Sequence, residues 1–407
     1  MMRALAGFIR DGLREATTGG RAYHLWMAAL TLLMCVGAWA YSVQLDEGLK
    51  VTGMNNSVSW GLYISNFAFL VGVAAAAVIL VLPTYIFKDV DFARAVLVGE
   101  ALAVAAVVMA ISFVVVDVGG PARLWHLIPM VGILNWPASL LSWDILVLNG
   151  YLALNLMIPF YILFSHYQGH KPNPRLYVPF VILSILWAVS LHLVTAFLFA
   201  GLPARPFWNS ALLGPRFLAT AFTAGPALII IVLALIRRFS EMTVEDDTIH
   251  KLALVVTVAA QVTLVMLLSE LFTEFYRDTH HGQSARYLYF GLDGHYRLVP
   301  WIWTSIGLNV AATVALSLHR VRRHLPSLYA ACAALFVAIE IEKGMGTIIP
   351  GFIPEPWGNI VEYSPTWVEW TVSLGILAVG CFVFTVLAKV ATPIESGRLR
   401  WRGGSRG

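Results

Sequence analysis

Ten predominantly apolar runs, each of the roughly twenty residues needed to cross a bilayer core as a helix, constrain this chain more than any other feature. They fall near 23–45, 59–87, 94–117, 140–165, 176–201, 215–237, 251–275, 299–319, 326–345 and 366–390. Inside lipid no water satisfies backbone N–H and C=O groups, so a continuous apolar run must bond to itself, which it does as an α-helix. The expected fold is therefore an all-α polytopic membrane protein. Composition agrees, because only 12% of the 407 residues are charged and mean hydropathy is +0.75, whereas about a quarter of a soluble domain is charged. The connections are short, with Pro, Gly and Asn at their edges, and none could separate soluble domains. Residues 23–390 thus read as one membrane domain.

Residues 1–22 place Leu5, Phe8, Ile9 and Leu13 on one helical face and Arg3, Arg10 and Arg14 on the other. That pattern predicts an interfacial amphipathic helix. Ala38-Trp39-Ala40 matches a signal-peptidase site superficially, but the basic region before it is long and the apolar run is long enough to span, so the first helix is kept. Residues 391–407 form a basic tail. Cys35, Cys332 and Cys381 stand singly in apolar runs, so neither a disulfide framework nor a cluster-binding thiolate set can be assembled from this chain.

Lys and Arg counted on alternate sides of the ten spans divide 19 to 8. The richer side should be cytoplasmic. Both termini are then inside, and segments 46–58, 119–139, 202–214, 276–298 and 346–365 face outward. This bias accounts for the net charge of +4 and gives no argument for nucleic-acid binding.

An internal repeat is visible. Residues from Gly61 and from Gly214 align without gaps, sharing Gly61/Gly214, Phe69/Phe222, Gly72/Gly225 and Ala74/Ala227. Four spans separate the copies, so they run in the same direction, related by an axis along the membrane normal. The expected arrangement is two similar four-helix bundles, spans 2–5 and 6–9, flanked by spans 1 and 10.

Chemistry is expected where ionisable groups enter the spans, because each costs about 2.5–3.5 kcal/mol at a helix centre on insertion scales. Glu100, His192, Glu270 and Glu340 are the deep candidates, with Asp144 at the start of its span; Asp117, Glu274 and Glu342 lie near helix ends and read as solvated. Asp144 can cap its helix or pair with Arg123. Glu270 and Glu274, four apart, share a helix face, and no Lys or Arg is evident at their depth. Deep carboxylates without cationic partners suit proton relay, so Glu100, Glu270, Glu274 and Glu340 are read as a proton path. A transmembrane di-haem protein needs paired central histidines, and of the eleven here only His192 is central, so haem is not expected. Any redox role must then use a diffusible carrier in the bilayer.

The segment from Gly119 to Asp144, GGPARLWHLIPMVGILNWPASLLSWD, has three Trp and three Pro between two apolar runs, which suits a membrane–water interface rather than a solvated loop. Together with WGLYISNFAFLVG at 60–72, the long segment 191–225 and SELFTEFY at 269–276, it resembles the NrfD/polysulfide-reductase (PsrC-like) membrane-subunit family over nearly the full length. With ten helices the chain is most similar to the DsrP-type subunits of DsrMKJOP complexes, with HybB-type hydrogenase subunits next.

The resemblance implies a quinone-reactive subunit of the prokaryotic inner membrane, using menaquinone or ubiquinone and holding no haem or iron–sulfur cluster. It implies a ferredoxin-like iron–sulfur partner on the periplasmic face, a multihaem cytochrome c and further redox subunits, with a link to sulfur or sulfite metabolism. Carried onto this sequence, the quinone-site candidates are Tyr63, Arg123, His126, Asn135 and Trp143, with Asp144 and His192 as proton acceptors. Gly61 and Gly72 match the family's small packing positions. The departure is GGPAR where many members read GRP, leaving Arg123 as the candidate replacement for a missing arginine. Two other classes remain open: a proton or ion transporter without quinone, which the parallel repeats and deep carboxylates also describe, and a purely structural anchor, in which the deep acids would be replaceable.

Overall fold

A computed structural model describes residues 2–75, 77–85, 93–128, 130–239, 244–276 and 282–401. Lys88, Arg277, Arg402 and Arg406 of the charge count, His280 and His281 of the histidine count, and Met1 and 402–407 of the terminal segments lie outside them. The described residues contain ten helices long and apolar enough to cross a membrane. In chain order they are α2 (Arg21–Glu47), α3 (Leu62–Ala75) continued by α4 (Val78–Tyr85), α5 (Ala93–Asp117), α6 (Leu140–Tyr167), α7 (Pro174–Ala200), α8 (Leu213–Phe239), α9 (Asp246–Tyr276), α11 (Val299–Ser317), α13 (Leu325–Lys343) and α14 (Trp367–Glu395). The shorter helices are α1 (Met2–Thr17), α10 (Gln283–Phe290) and α12 (His319–Arg323). Among the described residues the only β feature is an isolated bridge between Leu292 and His295. The chain is an all-α, multi-pass integral membrane protein.

The arrangement is built around α3. Its sequence is apolar on every side, the pattern of a helix with no solvent or lipid face, and every residue from Leu62 to Ala75 is buried. It packs against α5, α7, α8 and α13. Consecutive spans are neighbours: α5 with α6, α6 with α7, α7 with α8, α8 with α9, α9 with α11 and α11 with α13, while α13 also returns to α8. The first span, α2, lies against α14, where Gly37 and Gly375 face each other so closely that a Cβ on Gly37 would stand 2.6 Å from the Gly375 Cα. Small residues at such a crossing let helix backbones approach, the usual basis of association inside lipid.

In α1, Phe8 packs edge-on against Phe160, Phe164 and Tyr167, with centroids 5.4–5.6 Å apart, while Ile9 and Leu13 stay exposed. Two details differ from expectation. Segment 276–298 contains α10, which carries no long apolar run and so left no span-like signal. The ninth span does not stop near 345 but continues as a π-turn, Gly344–Ile348, and a 3-10 turn, Ile349–Phe352. The Thr347 hydroxyl donates to the Glu342 carbonyl at 2.9 Å. Single π-turns often accompany functional sites.

Candidate functional site

Asp144 is the fifth residue of α6 and His192 stands on α7, each 1% exposed. The Thr195 hydroxyl, three residues after His192 and therefore on the same face of α7, donates to Asp144 Oδ1 at 2.8 Å. Asp144 is thus held by Thr195. It is not held by Arg123, which is exposed on the 3-10 segment Pro121–Leu127.

The His192 ring has a defined polarity. Its Nδ1 lies 3.0 Å from the Ala188 carbonyl, and a carbonyl oxygen can only accept, so Nδ1 carries the hydrogen in the neutral ring. Nε2 is then a free lone pair, and it is buried with no hydrogen-bond partner. It faces the crossing of α3 and α8: a Cβ on Gly72 would lie 4.0 Å from Nε2 and 3.5 Å from the Ala221 Cβ. A methyl at Gly72 would make ordinary contact here, so the gap beside Nε2 is about one carbon wide. A buried base aimed into an apolar junction suits a group that brings its own hydroxyl or carbonyl.

The remaining quinone candidates lie elsewhere. Tyr63 is fully buried and donates to Gln44 Oε1 at 2.8 Å, while Gln44 Nε2 donates to the Val116 carbonyl at 2.6 Å. Nine residues separate Tyr63 from Gly72, or about 13 Å along a helix, so Tyr63 sits more than two turns from the His192 junction. His126 and Asn135 are exposed, like Arg123. The His126 ring stacks on Trp125 at 3.7 Å, and Trp143 Nε1 donates to the Pro137 carbonyl at 2.9 Å beside Trp136. These four residues form a surface at the ends of α5 and α6. Of these candidates only Asp144 is tied to the helix that carries His192, through Thr195 one turn further along α7.

The expectation that no cation lies at the depth of Glu270 is overturned. Arg216, on the first turn of α8 and 3% exposed, donates through Nε and a terminal nitrogen to Glu342 Oε1 at 3.0 and 2.8 Å. It also forms an ion pair with Glu270. Glu342, expected to be solvated, is 3% exposed. The neighbouring Lys343 is equally buried, its ammonium 3.3 Å from the centroid of the Phe217 ring, a cation–π placement. Two acids and two bases thus form a buried, formally neutral cluster joining α8, α9 and α13. The sequence count placed Arg216 and Lys343 among loop charges because both lie at span ends. A signal was present, since Arg216 aligns with the buried Tyr63 in the internal repeat.

Glu100 is buried on α5 with Oε2 unpartnered, and Asp117, at the end of α5, has a buried Oδ1 without a partner rather than the solvated carboxyl expected. Glu274 and Glu340 are partly buried. Among the described residues no hydrogen bond or ion pair joins Glu100 or Glu340 to the Arg216 cluster, so the four proposed relay acids are not brought together. No three His, Cys, Asp or Glu side chains converge as a metal site among the described residues.

The family profile described as polysulphide reductase, NrfD, matches residues 50–345. A candidate dimethyl sulfoxide reductase membrane subunit of Halobacterium salinarum is 24% identical, covering 88% of each chain. A selenate reductase subunit of Mesobacillus selenatarsenatis is 23% identical over 90% of this chain and 93% of its own. An Hdr-like menaquinol oxidoreductase integral membrane subunit of Archaeoglobus fulgidus is 22% identical over the same two shares.

Proposed function

Since the chain belongs to the NrfD polysulphide reductase family, we propose that it is the quinone-reactive membrane subunit of a respiratory redox complex, exchanging electrons between the quinone pool and a metal-bearing partner. Relatives named as reductase membrane subunits and as a menaquinol oxidoreductase subunit support this reading. The observation that carries it is the unpartnered, buried Nε2 of His192, facing Gly72 and Ala221 at the crossing of α3 and α8.

Oxidation of a quinol releases two electrons and two protons. His192 is set to take a hydroxyl proton at Nε2, because its other nitrogen is committed to Ala188. Asp144, oriented by Thr195 one turn away on α7, supplies a second acceptor. The surrounding apolar helices exclude water. Arg123, His126, Asn135 and Trp143 form the mouth in this reading, and Tyr63 braces the outer ends of α2, α3 and α5 through Gln44.

Electrons pass to a ferredoxin-like iron–sulfur subunit on the outer face, and onward to a multihaem cytochrome c and further redox subunits, in a complex serving sulfur or sulfite metabolism. The segment after α5 offers a docking surface, with Trp125, Ile128, Met130, Val131, Ile133 and Trp136 all exposed. Exposed apolar groups clustered on a connecting segment are unusual unless something covers them.

Quinol-dependent electron transfer and quinone-analogue binding in the assembled complex test the reading. Asp144→Asn keeps size and hydrogen bonding but removes the proton acceptor, so binding should survive better than turnover. His192→Ala should damage both, since it also opens a cavity. Wild-type turnover by both variants at saturating quinol would remove the proposed centre.

A further inference from the structure

A cavity of about 500 Å³ opens from the bilayer between α9, α10 and α11. Its wall includes Leu267, Leu271, Phe272, Tyr289, Phe290 and Trp303, and every other lining residue is Leu, Ile, Val or Phe. The Trp303 indole N–H is already satisfied by the Tyr289 carbonyl at 2.9 Å. No acid or base lines the cavity. Phe272, Phe290 and Trp303 are more than half exposed, and the flanking spans are apolar, so the opening faces lipid.

The internal repeat says what this place corresponds to. The offset of 153 that relates Gly61 to Gly214 also carries Asp117, near the end of α5, onto Glu270, near the end of α9. At the starts of α7 and α13, Pro174-Arg175-Leu176-Tyr177 matches Pro326-Ser327-Leu328-Tyr329 at three of four positions. Between these helices, Ala122-Arg123 lies in the short helical segment Pro121–Leu127 and Ala285-Arg286 lies in α10. α10 therefore stands to α9 and α11 as the 121–127 segment stands to α5 and α6. The cavity is the second-half counterpart of the mouth assigned above to the quinone.

We propose that this cavity binds a second prenylquinone, its ring among Phe272, Tyr289, Phe290 and Trp303, as a holding site distinct from the His192 centre. The identification of the ligand rests on the quinone reading of the first half. Aromatic walls favour a planar ring, which gains offset or edge-to-face contacts beyond its buried area, over a saturated acyl chain, which gains area alone. The volume lies within the usual range of small-molecule sites, about 300–1,000 Å³. With no proton acceptor on its wall, the site holds its ligand without turning it over.

Photolabelling of the assembled complex in nanodiscs with an azido-prenylquinone, followed by peptide mapping, tests this directly. The label should appear in peptides 264–275 and 287–310 as well as in 140–200. Excess unlabelled prenylquinone should displace it from both. Leu271→Trp fills the cavity and should lower labelling of 264–310 at least tenfold while sparing 140–200, and His192→Ala should do the reverse. Label in 264–310 that survives Leu271→Trp, or that excess phospholipid removes and prenylquinone does not, overturns the second site. Wild-type competition needs no variant, so a folding failure of Leu271→Trp leaves the test decisive. Failure of the first-half reading shows separately, as peptides 140–200 that never label.

Discussion

Replacing Arg216 with Met should destabilise the protein more than any other single change to an ionisable side chain outside the His192 centre. Arg216 is 3% exposed and makes two charge-assisted hydrogen bonds to Glu342, at 3.0 and 2.8 Å, and an ion pair with Glu270. Removing one partner of a buried ion pair costs about 3–5 kcal/mol, mostly because the remaining charge is left uncompensated. Here Glu342 is stranded at 4% side-chain exposure, whereas Glu270, at 17%, can relax toward solvent. The expected loss is therefore about 3–5 kcal/mol, with Glu342 contributing most of it. The cluster is formally neutral, so Arg216→Met leaves it at −1, and adding Glu342→Gln returns it to zero. The double variant should recover at least half of the loss, although it removes more native hydrogen bonds than the single one. Denaturation of the purified protein in detergent by a graded SDS titration, followed by helix content, reads both. A single variant within about 1 kcal/mol of wild type, or a double variant no better than the single, would refute the argument that the cluster is a paired unit.

Three further outcomes follow from the same geometry. Thr195→Val keeps shape but removes the hydroxyl that holds Asp144, a hydrogen bond to a charged group worth about 1.5–3 kcal/mol; quinol-dependent turnover should fall about tenfold or more while the protein folds, and unchanged turnover would show that Asp144 needs no orientation. The Tyr167 hydroxyl, donating at 2.7 Å, holds the Asp11 carboxyl below its ordinary value of 3.8, against a smaller opposing effect of burial. A depressed carboxylate stabilises the folded state above its unfolded pKa, and that contribution is lost as pH falls through the folded one. Hydrogen exchange in α1 should therefore accelerate selectively below about pH 4, and Tyr167→Phe should weaken the dependence, leaving the smaller part due to Arg10 and Arg14. A reporter active only in the periplasm should be silent when fused after residue 398 and active when fused within 353–365; activity at both positions would contradict the charge-derived orientation.

The spans were legible because lipid allows so few solutions: an apolar run of sufficient length must be a helix, and all ten appear. Asp144 and His192 were legible for a related reason, since ionisable groups rarely enter apolar runs without a use. Thr195 was not, because a hydroxyl on a helix ordinarily bonds to the carbonyl four residues back, as Thr195 also does at 3.0 Å to Leu191, and sequence cannot show that it faces Asp144 as well. Arg216 and Lys343 were misplaced because hydropathy locates a span end only to within a turn. A charge one turn inside the end looks the same as one in the loop. The π-turn after Lys343 left no trace, since its residues, Gly344–Ile348, carry no pattern that distinguishes i+5 from i+4 bonding.

The two halves have resolved the same difficulty in opposite ways. A buried donor or acceptor left without a partner costs about 1–3 kcal/mol, more when charged, so a membrane bundle either pairs its polar groups or retains an unpaired one for a reason. Around α8, α9 and α13 the buried acids are matched by bases, Arg216 bridging Glu270 and Glu342 and Lys343 balancing the excess, while His250 Nδ1 on α9 has no hydrogen-bond partner. At the aligned positions of the first half, Tyr63 replaces the arginine and Asp117 replaces Glu270, so no fixed cation is present and Asp117 keeps an unpartnered oxygen. Glu100 Oε2 on α5 and His192 Nε2 on α7 likewise have no hydrogen-bond partner. An arginine cannot give up its proton within a protein's working range, so a cluster built on one is fixed in charge. A carboxyl or imidazole with a free lone pair can gain a proton and lose it again. On the quinone reading proposed above, His192 and Asp144 are the groups that exchange protons, and the Arg216 cluster is the charge-fixed part of the bundle, on the α8 side of the α3–α8 crossing.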